Sequence, residues 1–401
     1  MYYFFSERAT GIRVRIFHVS LPFLSEYSRS PRFPAVTMSG TSCYLLWLAH
    51  AAVMPLLLLM SGIMFLIIFQ PVVAIAKESD FPIGVFAVTK SQIPLAASLG
   101  FEVVHEYRFE ESPNKDDEVA AYLEKALQYN LRVMMGFDRG EHFNEKRVAE
   151  RVVRFRNHKA LWGWYITDEP KEGMEETVRS VASLIKRLDP NHPTLIASDN
   201  PVYLKMADLT FSYEYPVWNK PYPEQNLKIY VDRTRTSVNL GTQFLSLVQA
   251  FNWEHYRQKD PKKGSYRLPT ATEIRFMAYS GLAMGSRGLF FFSFQTLPYD
   301  RKYLDDAIVP VVKEFKRIRL FMGWEKAGLP DFVEPDIDLI YRCWRKGKDV
   351  TMVVTNPTPK KRTCSIKVDF NKNFLEAISH RGPDVVEPWG VAIYKFVGGV
   401  K

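Results

Sequence analysis

The sequence predicts an α/β protein, a (β/α)8 barrel followed by a small antiparallel β-sandwich and preceded by an N-terminal hydrophobic segment. Three observations predict it. From residue 78 onward, eight short apolar runs alternate with about eight amphipathic stretches, which implies parallel strands joined by crossover helices. After about Pro330 the apolar period shortens to two, as in antiparallel strands. Between Tyr44 and Ala76 no residue carries a formal charge.

The N-terminal part divides in two. Residues 1–43 form a basic tail in which five arginines face Glu7 and Glu26, a net charge of +3. Residues 44–76 include "MPLLLLMSGIMFLIIF" and exceed the roughly 20 residues that span a bilayer. With arginines ahead of it, this segment places the remainder of the chain outside the cytoplasm. It reads either as an uncleaved transmembrane anchor or, ending in Ala74-Ile75-Ala76, as a signal segment cleaved near Ala76 to release a secreted protein. Met38 is a plausible alternative start.

The barrel is expected over residues 78–325. Its strands are "PIGVFAV" (82–88), "EVVHEYRF" (102–109), "LRVMMGFD" (131–138), "LWGWYITDEP" (161–170), "PTLIASD" (193–199), "ADLTFSYEYP" (207–216), "QFLSLVQAF" (243–251) and "RGLFFFSF" (287–294). Helices fall between them. "DDEVAAYLEKALQYN" carries Val119, Tyr122, Leu123, Ala126 and Leu127 on one face. The helix over 270–285 opens with a capping box, Thr270 with Glu273, and closes at Gly285. Eight such units match a TIM barrel. A doubly wound open sheet is the alternative, but the Gly-rich phosphate turn that usually marks one is missing. Over 331–401, "DIDLIYRCWR" and "DVTMVVTN" are joined by "KGKD", a hairpin signal, and "RTCSIKVDF" and "WGVAIYKF" complete a small sandwich.

Composition narrows the function. The net charge is +9 and aromatic content is 14%. The positive charge outside the tail is spread among acids and forms no basic stripe, so no nucleic-acid partner is expected. Of the three cysteines, Cys343 and Cys364 either pair, if exported, or stay as separate buried thiols; none has metal-ligand spacing. Neither a G-x-S-x-G elbow nor a P-loop is present. No metal and no cofactor is expected. His105 and His255 read best as structural histidines.

The candidate chemistry sits in "GWYITDEP". In a parallel barrel, substrate-facing side chains lie where strands end. The fourth strand buries Trp162, Trp164 and Ile166, and so delivers Asp168 and Glu169 to the mouth, with Pro170 ending the strand. Two neighbouring carboxyl groups repel when both are ionised, and a ring-walled setting disfavours charge, so one of such a pair suits a general acid. The bland reading is a helix start with acids on its dipole. Position at the end of strand four favours the catalytic one.

On these residues, the region 82–400 resembles the large clan of barrel glycoside hydrolases, many of which carry a C-terminal β-sandwich. In that clan an Asn-Glu-Pro-like motif ends strand four and its Glu is the acid/base. Asp168-Glu169-Pro170 is similar, with Asp for Asn. The resemblance implies that Glu169 is the general acid/base and that Asp168 accepts a hydrogen bond from a sugar hydroxyl. It also implies a nucleophilic Glu at the end of strand seven, where this chain has Gln249. An amide cannot be that nucleophile. Glu214 and then Glu254 are the candidates for the second carboxylate. Gln249, Tyr213, Tyr215, Trp218, Trp253, Asp138, Glu106 and Phe294 are candidate substrate-binding residues. The expected activity is hydrolysis of an extracytoplasmic oligo- or polysaccharide. A barrel that binds sugar or acts as a scaffold without catalysis is the alternative, as is an inert barrel whose sandwich binds an envelope partner.

Overall fold

The computed structural model describes residues 81–107, 116–137, 144–217, 227–256, 266–295, 297, 300–322, 325–367 and 384–396. The tail over 1–43 and the hydrophobic segment over 44–76 lie outside the described residues, as do Asp138 and Trp218. Among the described residues no helix is long and apolar enough to cross a membrane.

Eight parallel strands close on themselves. They are β1 (Ile83–Val85), β2 (Val103–Val104), β3 (Arg132–Gly136), β4 (Leu161–Asp168), β5 (Thr194–Ala197), β6 (Leu209–Tyr213), β7 (Phe244–Gln249) and β8 (Leu289–Phe292). Each pairs with its sequence neighbour, and β1 pairs with β8. The crossover helices are α1 (Ile93–Ser98), α2 (Asp116–Gln128), α3 (Glu145–Phe155), α4 (Glu175–Leu188), α5 (Leu227–Asn239) and α6 (Ala271–Met284); β5 and β6 are joined through a single 3-10 turn, Tyr203–Lys205, and α7 (Val309–Met322) follows β8. A widened π turn over Leu304–Ile308 leads into α7. The first two strands are shorter than their apolar runs. Beyond the ladder the chain still hydrogen-bonds singly, Phe86 N to Phe291 O and Val88 N to His105 O.

Pro170 does not open α4. The chain instead turns over Lys171–Met174, with Gly173 at φ 86°. The Tyr203 hydroxyl holds that turn, donating to Lys171 O at 2.5 Å and accepting from Met174 N at 3.2 Å.

Two apolar layers result. The barrel interior is filled by Phe86, Trp162, Tyr165, Phe211, Leu245 and Phe290, among others. A larger layer lies between the strands and the helices, and Trp164 and Ile166 belong to it. Trp164 therefore points outward, and its indole N–H donates to Asp189 Oδ2 at 2.8 Å. Burial works against that carboxylate, but the bonds from Trp164 and His192 outweigh it and hold Asp189 below its ordinary range.

Helix α6 has the predicted capping box, with Gly285 at φ 104° as its left-handed cap. It is buried nearly all round, with Ile274, Phe276, Met277, Tyr279 and Leu282 all inaccessible. The reason is its place between barrel and C-terminal sheets. On one side Gly281 lies so close to β7 that a Cβ would meet Ser246 Oγ at 1.8 Å. On the other, Phe276 packs edge-on against Trp389 and Arg275 Nη1 donates to Val391 O.

The C-terminal part comprises β9 (Glu325–Ala327), β10 (Val333–Pro335), β11 (Ile340–Lys346), β12 (Asp349–Thr355), β13 (Arg362–Ile366), β14 (Val385–Val386) and β15 (Val391–Phe396). These form a four-stranded sheet, β15-β12-β11-β9, and a three-stranded one, β10-β13-β14. The hairpin turns at Gly347, φ 59°. Cys343 and Cys364 share the sandwich core as free, buried thiols. Burial pushes Cys343 up to about 12 and Cys364 up to about 11.

Candidate active site

Strand alternation would send Asp168 and Glu169 to opposite faces of the sheet. Two features bring them together. The β4–β5 register shifts between Tyr165 and Thr167, which resets the alternation near the strand end. The ladder then ends at Asp168, and Glu169 takes a left-handed backbone, φ 50°, with its N–H on Ala197 O at 2.8 Å. A non-glycine residue held there costs about 1–3 kcal/mol, and such positions cluster at functional sites.

Both carboxyl groups line a hollow of about 300 Å³ at the C-terminal end of the barrel. Its walls are mostly rings: Tyr107, Tyr213, Tyr215, Phe251, Trp253, Tyr256 and Phe292. The rings brace one another. Tyr215 stacks on Phe292 with centroids 5.3 Å apart, and Phe251 meets Trp253 edge-on at 5.0 Å. Polar tips are anchored too, with the Trp253 indole donating to Tyr215 O at 3.2 Å and the Tyr256 hydroxyl 2.9 Å from Ser293 Oγ.

Tyr213 connects wall to acid. Its hydroxyl donates to Glu169 Oε1 at 2.9 Å. Burial first, and then the charge on Glu169, pushes the phenol far above its ordinary range, so Tyr213 stays a donor throughout the physiological range. Burial raises Tyr215 in the same way.

Several expected site residues lie elsewhere. Glu214 falls between Tyr213 and Tyr215, and alternation turns it away from the hollow. Its carboxylate lies 3.9 Å from Arg233 Nε on α5, and Arg233 also donates to Asp199 O at 2.7 Å. Glu254 sits in a single 3-10 turn, Trp253–His255, whose backbone is capped by Asn252. It is not among the side chains that line the hollow. Gln249 ends β7 as expected, but it is fully buried and its amide is spent on backbone. Oε1 accepts from Val217 N at 2.8 Å, and Nε2 donates to Val217 O at 2.6 Å and Phe251 O at 3.2 Å. It clamps the segments after β6 and β7 rather than presenting a group to a sugar. Glu106, just past β2, is 5% exposed and also lies off the lining, beside His105, whose ring packs among Phe86, Tyr107 and Tyr165. Phe294 faces Phe101 in the outer layer, because β8 ends at Phe292 and alternation no longer applies beyond it.

The hollow also contains residues that strand-end counting missed. Tyr107, Phe251, Tyr256 and Phe292 line it, and the charge of Asp199, just past β5, acts on Tyr213. Their signal in the sequence was only that aromatic residues cluster after strands two, seven and eight. Among the described residues no group of three His, Cys, Asp or Glu side chains is placed to hold a metal.

A closed parallel barrel of eight strands, with a ring-lined acidic hollow at its C-terminal end and antiparallel sheets after it, is a TIM barrel with an appended β-sandwich. Comparison with solved structures agrees. The chain is similar to a β-L-arabinopyranosidase of glycoside hydrolase family 27 from Geobacillus stearothermophilus, at 11% identity and TM-score 0.53, covering 81% of this chain and 98% of that one. It is similar to a family 5 glycoside hydrolase from Bacteroides vulgatus, at 13% identity and TM-score 0.51, covering 80% and 86%. It is also similar to Amy13B of Eubacterium rectale, at 6% identity and TM-score 0.52, covering 80% and 96%. At these identities the likeness is one of fold. No family model and no curated protein matches the chain.

Proposed function

We propose that this protein hydrolyses glycosidic bonds of an oligo- or polysaccharide outside the cytoplasm, with Glu169 as general acid/base. The observation that carries the proposal is the left-handed backbone at Glu169, which turns its carboxyl group into the same ring-walled hollow as Asp168. Rings of this kind suit the apolar faces of a sugar, and the carboxylates suit its hydroxyls and its glycosidic oxygen. Tyr213 fixes Oε1 of Glu169, so the proton for the departing sugar oxygen belongs on Oε2. Asp168 is the neighbouring carboxylate in the hollow. It takes the role first assigned to Glu214 or Glu254, assisting the attack on the anomeric carbon, directly or through a water. Trp253 and Tyr215 are the proposed stacking platform.

The uncharged length of residues 44–76 supports attachment to the membrane, with release after cleavage near Ala76 as the alternative. N-terminal sequencing of the chain recovered from membrane and soluble fractions tests this.

A second reading, sugar binding without catalysis, draws on Gln249, whose amide replaces the carboxylate expected at the end of β7. One experiment separates the two. Reducing-end release from a glycan panel is measured for the native chain and for Glu169→Gln, alongside binding. Release by the native chain that is lost in Glu169→Gln supports hydrolysis. Saturable binding with no release supports the second reading, and neither binding nor release sinks both.

A further inference from the structure

A hollow larger than that of the mouth lies away from it. It lies at the opposite, N-terminal end of the barrel, with a volume of about 580 Å³, and Pro82, Leu161 and Pro193 at the strand starts contribute to its wall. Its polar chemistry is the inverse of the mouth's. Arg287, Lys186, His192, Asn191 and Gln243 line it, and Trp162 forms its apolar floor. Trp162 is the lowest ring of the barrel interior, resting on Phe290 with centroids 5.6 Å apart, and it keeps 7% exposure toward the hollow. The one described acid on the lining, Asp208, is already committed. It accepts from Lys186 Nζ at 2.8 Å and from Thr194 N at 2.9 Å.

Arg287 differs from the other cations. Among the described residues no carboxylate lies within ion-pair distance of it, and the same holds for Arg342, its neighbour on β11. Arg342 reaches back over Gly285, two residues before Arg287, where its Nη1 stands 2.7 Å from the position a Cβ would take. Burial and then the charge of Arg287 hold Arg342 below its ordinary value. Arg287 thus acts on the partly buried Arg342 through its charge, and an anion held by Arg287 would relieve that repulsion. Planar guanidinium donors match carboxylate or phosphate oxygens, and the amides of Asn191 and Gln243 match hydroxyls. The volume suits one or two sugar rings.

We propose that this hollow binds a sugar bearing an oxyanion, a carboxylate or a phosphate, with Arg287 as its charge partner and Trp162 as its floor. It is a site separate from the mouth and stands whether or not the mouth hydrolyses anything.

The test uses the full chain in detergent. Binding is followed by tryptophan fluorescence and by calorimetry, with glucuronate, glucose 6-phosphate, glucose and inorganic phosphate as probes. The expected result is saturable binding of at least one anionic sugar, at least roughly tenfold tighter than glucose and inorganic phosphate. Comparing glucuronate with glucose 6-phosphate identifies which oxyanion is preferred. Arg287→Gln weakens that binding about tenfold or more. Its side chain is exposed, so folding is retained. Trp162→Phe removes the fluorescence change while calorimetry still reports binding. Glu169→Gln leaves the affinity unchanged, which separates this site from the mouth. Equal affinity for glucose, equal affinity for inorganic phosphate, no binding of either anionic sugar, or full affinity in Arg287→Gln each overturns the proposal.

Discussion

The two ends of the barrel share the same eight strands and carry opposite chemistry. At the C-terminal end a hollow of about 300 Å³ holds Asp168 and Glu169 among seven aromatic rings. At the N-terminal end a hollow of about 580 Å³ holds cations and amides over a single indole. The difference shows why size does not locate the candidate chemistry. The larger hollow has no strained backbone among its lining residues, and its described acid is consumed by Lys186 and Thr194. The smaller one contains a non-glycine residue in a left-handed conformation and a tyrosine whose proton is held by burial. Strand ends at the C-terminal face turn sharply into loops, so neighbouring side chains there can be brought together in ways that the regular strand body forbids.

The largest expected effect tests the mouth. Glu169→Gln should lower hydrolysis by about 100- to 10,000-fold, the usual worth of a positioned acid, while the melting temperature stays within a few degrees. Glu169→Gly should lose activity and be about 1 kcal/mol more stable than Glu169→Ala, because both lose the bond from Tyr213 but only glycine adopts this backbone without strain. Denaturant unfolding beside a hydrolysis assay checks both. A Glu169→Gly chain no more stable than Glu169→Ala would remove the argument from strain.

Next comes the clamp at the end of β7. Gln249→Ala leaves Val217 N and two carbonyl groups without their buried partner and should cost about 2–4 kcal/mol. Gln249→Glu, which restores the residue expected of a nucleophile, should not raise hydrolysis. It sets a carboxylate against the oxygens of Val217 and Phe251, and stability should fall at least as far. Equilibrium unfolding reads the first effect and steady-state kinetics the second.

The third effect depends on pH. Burial raises Tyr213, Tyr215, Tyr230, Tyr279 and Tyr394 above their unfolded values. A group whose folded pKa is raised keeps its proton in the native state, so its contribution is complete below the unfolded value near 10 and is lost as pH climbs toward the folded value. Stability should therefore be level on this account up to about pH 10 and then fall steeply. Tyrosinate absorbance should rise together with loss of the native circular dichroism. Early, independent ionisation of these tyrosines would contradict the packing described for the two barrel layers and the sandwich core.

The smallest effect belongs to the acid that sequence ranked first after Glu169. Glu214→Gln should change hydrolysis by no more than about twofold and stability by less than about 1 kcal/mol, since a partly exposed pair at 3.9 Å contributes little. A large loss of activity would return Glu214 to the site.

Much of the barrel was legible beforehand because both periods in the sequence reflect local geometry. Apolar runs bounded by amphipathic helices mark β1 to β8, and the capping box with Gly285 marks both ends of α6. The site was legible only in part. Asp168 and Glu169 could be placed at a strand end by counting. Glu214 and Phe294, expected at the site, do not line the hollow, because counting says which residue ends a strand and not which way it faces. One faces α5 by simple alternation, and the other lies past the point where alternation holds. Gln249 was found at the right place but is used up by Val217 and Phe251.

The order of strands and helices, the closed barrel they imply and the acidic end of β4 belong to the sequence alone, because hydrophobic period and chain alternation are local properties that survive without a partner. Which acids share a hollow, which rings wall it and which cations gather beneath the barrel belong to the tertiary structure. They depend on a register shift in β4, on the backbone twist at Glu169 and on residues that meet across the barrel from far along the chain, and none of these leaves a spacing in the sequence to read.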